Sequence, residues 1–158
     1  MEPRIKIIQE KKLIGMHKEM TLSEDTTFEL WRTFMQNRRH IENRVDDQLY
    51  NLKIFPKGID FMNFSPHDSF QKWAAVEVRD FDQEKEEFEP FTLSTGQYAV
   101  FIHKGRADTF PQTLQYIFGE WLPASSFQLD DRPHFERFTK EHDRSDPEVE
   151  EEVWIPIK

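Results

Sequence analysis

The chain contains no cysteine, so neither a disulfide framework nor a thiolate metal site is open to it. Its five glycines are scattered. They form no Gly-rich phosphate loop and no Gly-x-Ser-x-Gly elbow, which argues against nucleotide-dependent chemistry and serine hydrolysis. Long apolar runs are missing as well. Stretches such as Tyr98-Ala99-Val100-Phe101-Ile102 are far too short to cross a bilayer, and the opening Met1-Glu2-Pro3-Arg4 lacks the apolar segment of a secretion signal. Together these absences predict a cytoplasmic protein without membrane contact. The histidines (His17, His40, His67, His103, His134, His142) show no His-Glu-x-x-His spacing, so no metal and no cofactor are expected. Positive charge is also scarce: 21 Lys and Arg stand against 30 Asp and Glu, a net charge of −9. Such a surface repels phosphate backbones and attracts cations, so direct nucleic-acid binding is not expected.

Aromatic residues, in contrast, are plentiful, with 15 Phe, 4 Trp and 3 Tyr in 158 residues. A chain of this length fits one domain that buries roughly two thirds of its unfolded surface. The aromatic surplus serves either a compact core or the lining of a pocket for flat organic ligands.

Along the chain, Lys6 to Met16 reads as a strand. Thr26-Thr27-Phe28-Glu29 has the spacing of a capping box, and Leu30, Trp31, Phe34, Met35 and Ile41 follow at helical intervals, predicting a helix from about Thr27 to Asn43. Strand-forming runs come next, Leu49 to Phe55 and Phe70 to Val78, and then an acidic segment, Asp80 to Glu89, that reads as a solvated connection. The order then repeats. Gly96 to Lys104 is a strand, Thr109-Phe110-Pro111-Gln112 opens a second helix that Pro123 ends, and Phe135 to Lys140 and Val149 to Ile157 are the last strands. Two pseudo-repeats, about 4–80 and 91–158, therefore read strand, helix, strand, strand. The expected fold is α+β: one extended antiparallel sheet over 1–158, with two main helices on one face and a groove between them.

Within this frame Pro133-His134-Phe135-Glu136-Arg137-Phe138 stands out, because a carboxylate placed among aromatic neighbours is costly unless something pairs with it. Alternation puts His134, Glu136 and Phe138 on one face and Phe135 and Arg137 on the other. A cationic ligand is one candidate for the missing partner. Aromatic and apolar candidates to line such a groove are Trp31 and Met35 on the first helix, Trp73, Tyr98, Tyr116 on the second helix, Phe138 and Trp154. On the last strand, Val153, Ile155 and Ile157 are expected to face the core, which leaves Trp154 with Glu150 and Glu152.

Four segments in order, Gly96-Gln97-Tyr98-Ala99-Val100-Phe101-Ile102-His103-Lys104-Gly105, Tyr116-Ile117-Phe118-Gly119-Glu120-Trp121-Leu122-Pro123-Ala124-Ser125, Pro133-His134-Phe135-Glu136 and Val153-Trp154-Ile155-Pro156-Ile157-Lys158, resemble the gyrase-inhibitor-like (GyrI-like) family. That bacterial family also supplies the effector-binding domains of AraC-type and MerR-type regulators. The resemblance implies a tandem strand-helix-strand-strand fold with a ligand groove at the pseudo-twofold axis, where Glu136 aligns with a glutamate that meets lipophilic cations. Many relatives place Tyr two residues after that glutamate, whereas this chain has Phe138. The resemblance also implies a stand-alone multidrug receptor or sequestering protein, since no basic helix pair is left over to read DNA. It leaves two alternatives open: a hydrolase of strained electrophiles using Glu136 with Tyr116 or Tyr98, and an inhibitor that meets DNA gyrase or a regulator as protein partner.

Overall fold

A computed structural model describes residues 1–61, 63–139 and 146–158. Its strands are β1 (Arg4–Ile8), β2 (Lys11–Met20), β3 (Gln48–Ile54), β4 (Phe70–Val78), β5 (Glu89–Leu93), β6 (Gly96–Lys104), β7 (His134–Thr139) and β8 (Glu150–Pro156). Helix α1 (Thr27–Asn37) follows β2. Helix α2 (Phe110–Tyr116) follows β6 and continues through a π-helical step, Ile117–Trp121, into the short α3 (Leu122–Ala124). Among the described residues no helix is long and apolar enough to cross a membrane.

Among the described residues eight strands form one antiparallel sheet in the order β1-β6-β8-β7-β3-β4-β2-β5. The fold is thus α+β with a strand-helix-strand-strand unit in each half. The halves meet where β3 pairs with β7. Each half also lends a strand to the other: β1, which precedes the first unit, pairs with β6, and β5, which precedes the second, pairs with β2.

This exchange forces the sheet to curl. β1 and β2 are six places apart in the strand order, which in a flat sheet is about 29 Å at about 4.8 Å per strand. They are joined by Gln9 and Glu10 alone, a link that reaches only about 10 Å. The Ser94-Thr95 link between β5 and β6 imposes the same limit on the other side. The concave face consequently closes over an apolar core of Ile8, Leu13, Tyr50, Leu52, Trp73, Leu93, Tyr98, Phe135 and Trp154. On the convex face α1 buries Leu30 and Phe34 against Ile14, Leu49, Ala74 and Val76. The α2 side covers Ala99, Phe101, Val153 and Ile155 with Ile117 and its neighbours.

Several boundaries depart from the sequence reading. The single strand over Lys6 to Met16 is two strands that part at Gln9-Glu10. The Thr26–Glu29 capping box is not formed: Thr26 makes no side-chain cap, and Asp25 Oδ1 instead accepts from the Thr27 backbone N–H at 2.8 Å. At the second helix the Thr109 hydroxyl likewise turns back, donating to the Arg106 carbonyl at 2.7 Å. α1 stops at Asn37 rather than Asn43, because a 3-10 turn over Arg38–His40 leads into extended Ile41 and left-handed Asn43. Pro123 does not end the second helix; it sits in the first turn of α3, where its missing N–H is not needed. The acidic connection is anchored by buried Phe88 and ends in β5, whose Pro90 is tolerated because the strand lies at the sheet edge. The reading of Lys140 as the end of a strand lies outside the described residues, as does His142.

At Gly15 β2 packs closely on β4: a Cβ there would run into the Ala74 carbonyl oxygen and stand 2.7 Å from Ala75 Cβ, whereas at Gly119 it would meet nothing within 4 Å. Gly15→Ala is therefore expected to destabilise the fold by about 2 kcal/mol or more, since backbone must move. Gly119→Ala, in the π-helical step, should stabilise it by up to about 1 kcal/mol. Urea titration of the two variants beside the wild type checks both signs.

Candidate functional site

The strip of convex face over β3 and β7 lies between the two helix-covered clusters, and beyond Leu49 and Phe138 its side chains are polar. Register places Asn51 opposite Glu136 and Lys53 opposite His134 on this face, with Lys72 of β4 on the far side of Lys53. Glu136 is only 5% exposed. Its Oε1 accepts from Asn51 Nδ2 at 3.3 Å, and Asn51 Oδ1 in turn accepts from the Trp31 indole N–H at 3.2 Å. The Lys53 ammonium lies 3.0 Å from Oε2 but off the hydrogen-bond direction, so Oε2 is ion-paired and receives no hydrogen bond. Both side chains of the pair are largely withdrawn from solvent, at 14% and 7% exposure. The counterion that Glu136 needs is thus supplied by the chain itself, from β3.

Rings surround this pair. Trp31 of α1 packs 5.4 Å from Phe138, while on the other side the Lys53 ammonium lies 5.4 Å from the centre of the Phe110 ring at the start of α2. At one end the β3–β4 loop reaches across: Phe61 stacks on Phe118 at 4.7 Å, and Phe55 and Phe61 both meet His134. Burial among these rings, with the positive charge of Lys53 as a lesser cause, pushes the His134 imidazole down to about 3. His134 is therefore a neutral wall of the site. Lys72 is committed elsewhere, its ammonium donating to the Thr27 hydroxyl at 2.7 Å. The arrangement is a buried carboxylate with an ammonium beside it and aromatic faces on three sides, which suits holding a cation or an extended aromatic body.

The structure divides the residues proposed from sequence. Glu136, Trp31 and Phe138 are brought together on the convex face. Trp73, Tyr98 and Trp154 lie on the concave face, in the core enclosed by the curl, so the sheet separates them from Glu136. Trp154 does share its face with Glu152, as alternation required, but the curl covers that face. Met35 is 39% exposed on α1, and the Tyr116 hydroxyl donates to the Met1 carbonyl at 2.9 Å. Neither tyrosine of the hydrolase alternative is among the hydrogen-bond partners of Glu136: Tyr98 donates to the Pro133 carbonyl at 2.8 Å, and burial pushes its phenol above the usual range. Sequence reading missed Asn51, Lys53, Phe61, Phe110 and Phe118. Asn51 and Lys53 do interrupt an apolar strand at alternate positions, a signal that could have marked them. Among the described residues no group of three or more His, Asp or Glu side chains is arranged to hold a metal.

Comparison with known proteins places this geometry in context. The GyrI-like small-molecule-binding domain matches residues 1–158. The transcriptional regulator BrlR of Pseudomonas aeruginosa is 23% identical over 146 residues, 92% of this chain and 51% of the regulator, so the chain spans about half the length of this curated relative. The solved structure of SAV2435 bound to tetraphenylphosphonium superposes with a TM-score of 0.74 at 15% identity, covering 100% of this chain and 94% of that one. The EcmrR C-terminal domain superposes with a TM-score of 0.71 at 12% identity, covering 99% and 97%. At these identities the superpositions establish a shared fold.

Two outcomes are expected from the site's electrostatics. Lys53→Met strands the Glu136 charge in a buried place and should cost about 3 to 5 kcal/mol, whereas Lys53→Met combined with Glu136→Leu should return to within about 2 kcal/mol of the wild type. Urea unfolding of the single and double variants measures both. For His134, the unfolded chain takes up a proton near pH 6.5 but the folded chain only near pH 3. The stability this contributes is complete above pH 6.5 and is lost as pH falls towards 3. His134→Phe should flatten that part of the acid limb in urea midpoints recorded against pH.

Proposed function

The chain belongs to the GyrI-like family of small-molecule-binding domains, and on that premise we propose that it binds lipophilic organic cations or extended aromatic molecules in the groove between α1 and α2. The observation that carries this reading is the Glu136 carboxyl group: buried at the groove floor, with one oxygen that receives no hydrogen bond. Glu136 supplies charge. Trp31, Phe138, Phe110 and Phe118 supply ring faces, each contributing about 0.5 to 2 kcal/mol to a nearby desolvated cation. Several such contacts hold a delocalised cation without tight shape matching, as a receptor or sequestering protein for chemically varied ligands would need. The acidic balance of the chain favours approach of cations over anions.

The test uses tetraphenylphosphonium and neutral triphenylphosphine oxide. Saturable binding of the cation, followed by Trp31 fluorescence in a variant whose other tryptophans are replaced by Phe and by calorimetry of the natural chain, is expected to weaken at least tenfold in Glu136→Gln. Thermal stabilisation by the cation should shrink in parallel, because a ligand raises stability only through its affinity for the folded state. Full affinity in Glu136→Gln would remove the proposed anchor.

A further inference from the structure

Lys53 deserves to be read as a ligand. Its ammonium lies 3.0 Å from a buried carboxylate oxygen and 5.4 Å from the centre of a phenylalanine ring, the two contacts that a bound organic cation would make. Its neighbours across the sheet leave it no better partner: His134 on one side is a neutral ring, and Lys72 on the other carries like charge and donates to Thr27. Lys53 is held to Glu136 by the ion pair, with no hydrogen bond to Oε2, and its side chain keeps 14% exposure; its flexible four-carbon stem gives the ammonium other positions when a competing cation takes its place.

From these positions we infer that Lys53 is the specificity-determining residue of the site, a tethered cation that an incoming ligand must displace from Glu136. The inference rests on the binding function proposed above. Its physical content is a competition between a free cation and one held on the same chain at high effective concentration. A compact ammonium ligand offers Glu136 nothing that Lys53 does not already provide, and it lacks the advantage of the tether. A cation whose charge is spread over several rings is weakly hydrated and gains additional contact with Trp31, Phe118 and Phe138, so it can win the exchange. Lys53 therefore filters ligands by aromatic area: bulky delocalised cations enter and small hydrophilic amines are refused. The same device keeps the carboxylate paired when no ligand is present, so the empty groove does not hold an isolated buried charge.

The experiment measures the affinities of tetraphenylphosphonium, benzyltrimethylammonium and triphenylphosphine oxide for the wild type, Lys53→Met and Lys53→Arg by calorimetry. The wild type should bind tetraphenylphosphonium and show no binding of benzyltrimethylammonium at millimolar concentration. Lys53→Met should bind tetraphenylphosphonium at least tenfold more tightly and gain measurable affinity for benzyltrimethylammonium, with triphenylphosphine oxide changed less than twofold. Lys53→Arg, which keeps the tethered charge and is the safer variant for folding, should bind tetraphenylphosphonium no more tightly than the wild type. Unchanged or weaker binding of the phosphonium by folded Lys53→Met, or tighter binding by Lys53→Arg, would overturn the role of Lys53 while leaving the binding function standing. Failure of all three proteins to bind the phosphonium would remove the binding function and this inference together.

Discussion

The pairing of β3 with β7 joins the two halves of the molecule, and its convex face sets a condition the rest of the structure must meet: a buried carboxylate between two helices needs a counterion and hydrogen-bond donors. The ion pair and the Asn51–Trp31 relay meet that condition from the first half of the chain, while Glu136 itself comes from the second. The contacts are therefore all between distant parts of the sequence. Trp31 fixes the position of α1 against the seam, and Phe110 does the same for the start of α2 through its contact with the ammonium.

A second constraint is geometric. The two-residue links at Gln9-Glu10 and Ser94-Thr95 tie opposite ends of the strand order together, so the sheet has one concave face that must be filled and one convex face that helices must cover. This divides the aromatic surplus by role. Tyr50, Trp73, Tyr98, Phe135 and Trp154 fill the curl, with Phe135 stacked on Trp154 at 5.2 Å, while Trp31, Phe61, Phe110, Phe118 and Phe138 border the groove. On the strands the division is strict, because moving a residue such as Phe135 or Phe138 by one position along β7 moves it through the sheet.

The strand-helix-strand-strand order, the amphipathic α1 and the shared face of His134, Glu136 and Phe138 were all legible from local patterns, since periods of two and of about three and a half leave a direct trace in sequence. Short elements were less legible. β1 and β2 merge in sequence because the bend at Gln9-Glu10 has no Gly or Pro to mark it, and β5 is hidden behind an acidic run and a proline. The capping box expected at α1 did not form because hydroxyls and carboxylates compete for the same backbone donors, and Asp25 reaches the Thr27 N–H while Thr26 caps nothing.

What the sequence by itself determined was the class of fold, its division into two similar units and the identity of Glu136 as a charge in need of a partner. Each of these follows from composition, periodicity and a charged residue set among aromatic ones. What only the tertiary structure decided was the partner. Lys53 precedes Glu136 by more than eighty residues, and although it breaks an apolar strand at a position alternate to Asn51, that local pattern does not say which carboxylate it meets. The register of β3 against β7, set by burial of the flanking apolar residues, brings the two together. The same register, together with the curl, places Trp31 and Phe138 beside the carboxylate and leaves Trp73, Tyr98 and Trp154 on the far side of the sheet, because a strand residue's face follows from alternation but what covers that face follows from packing.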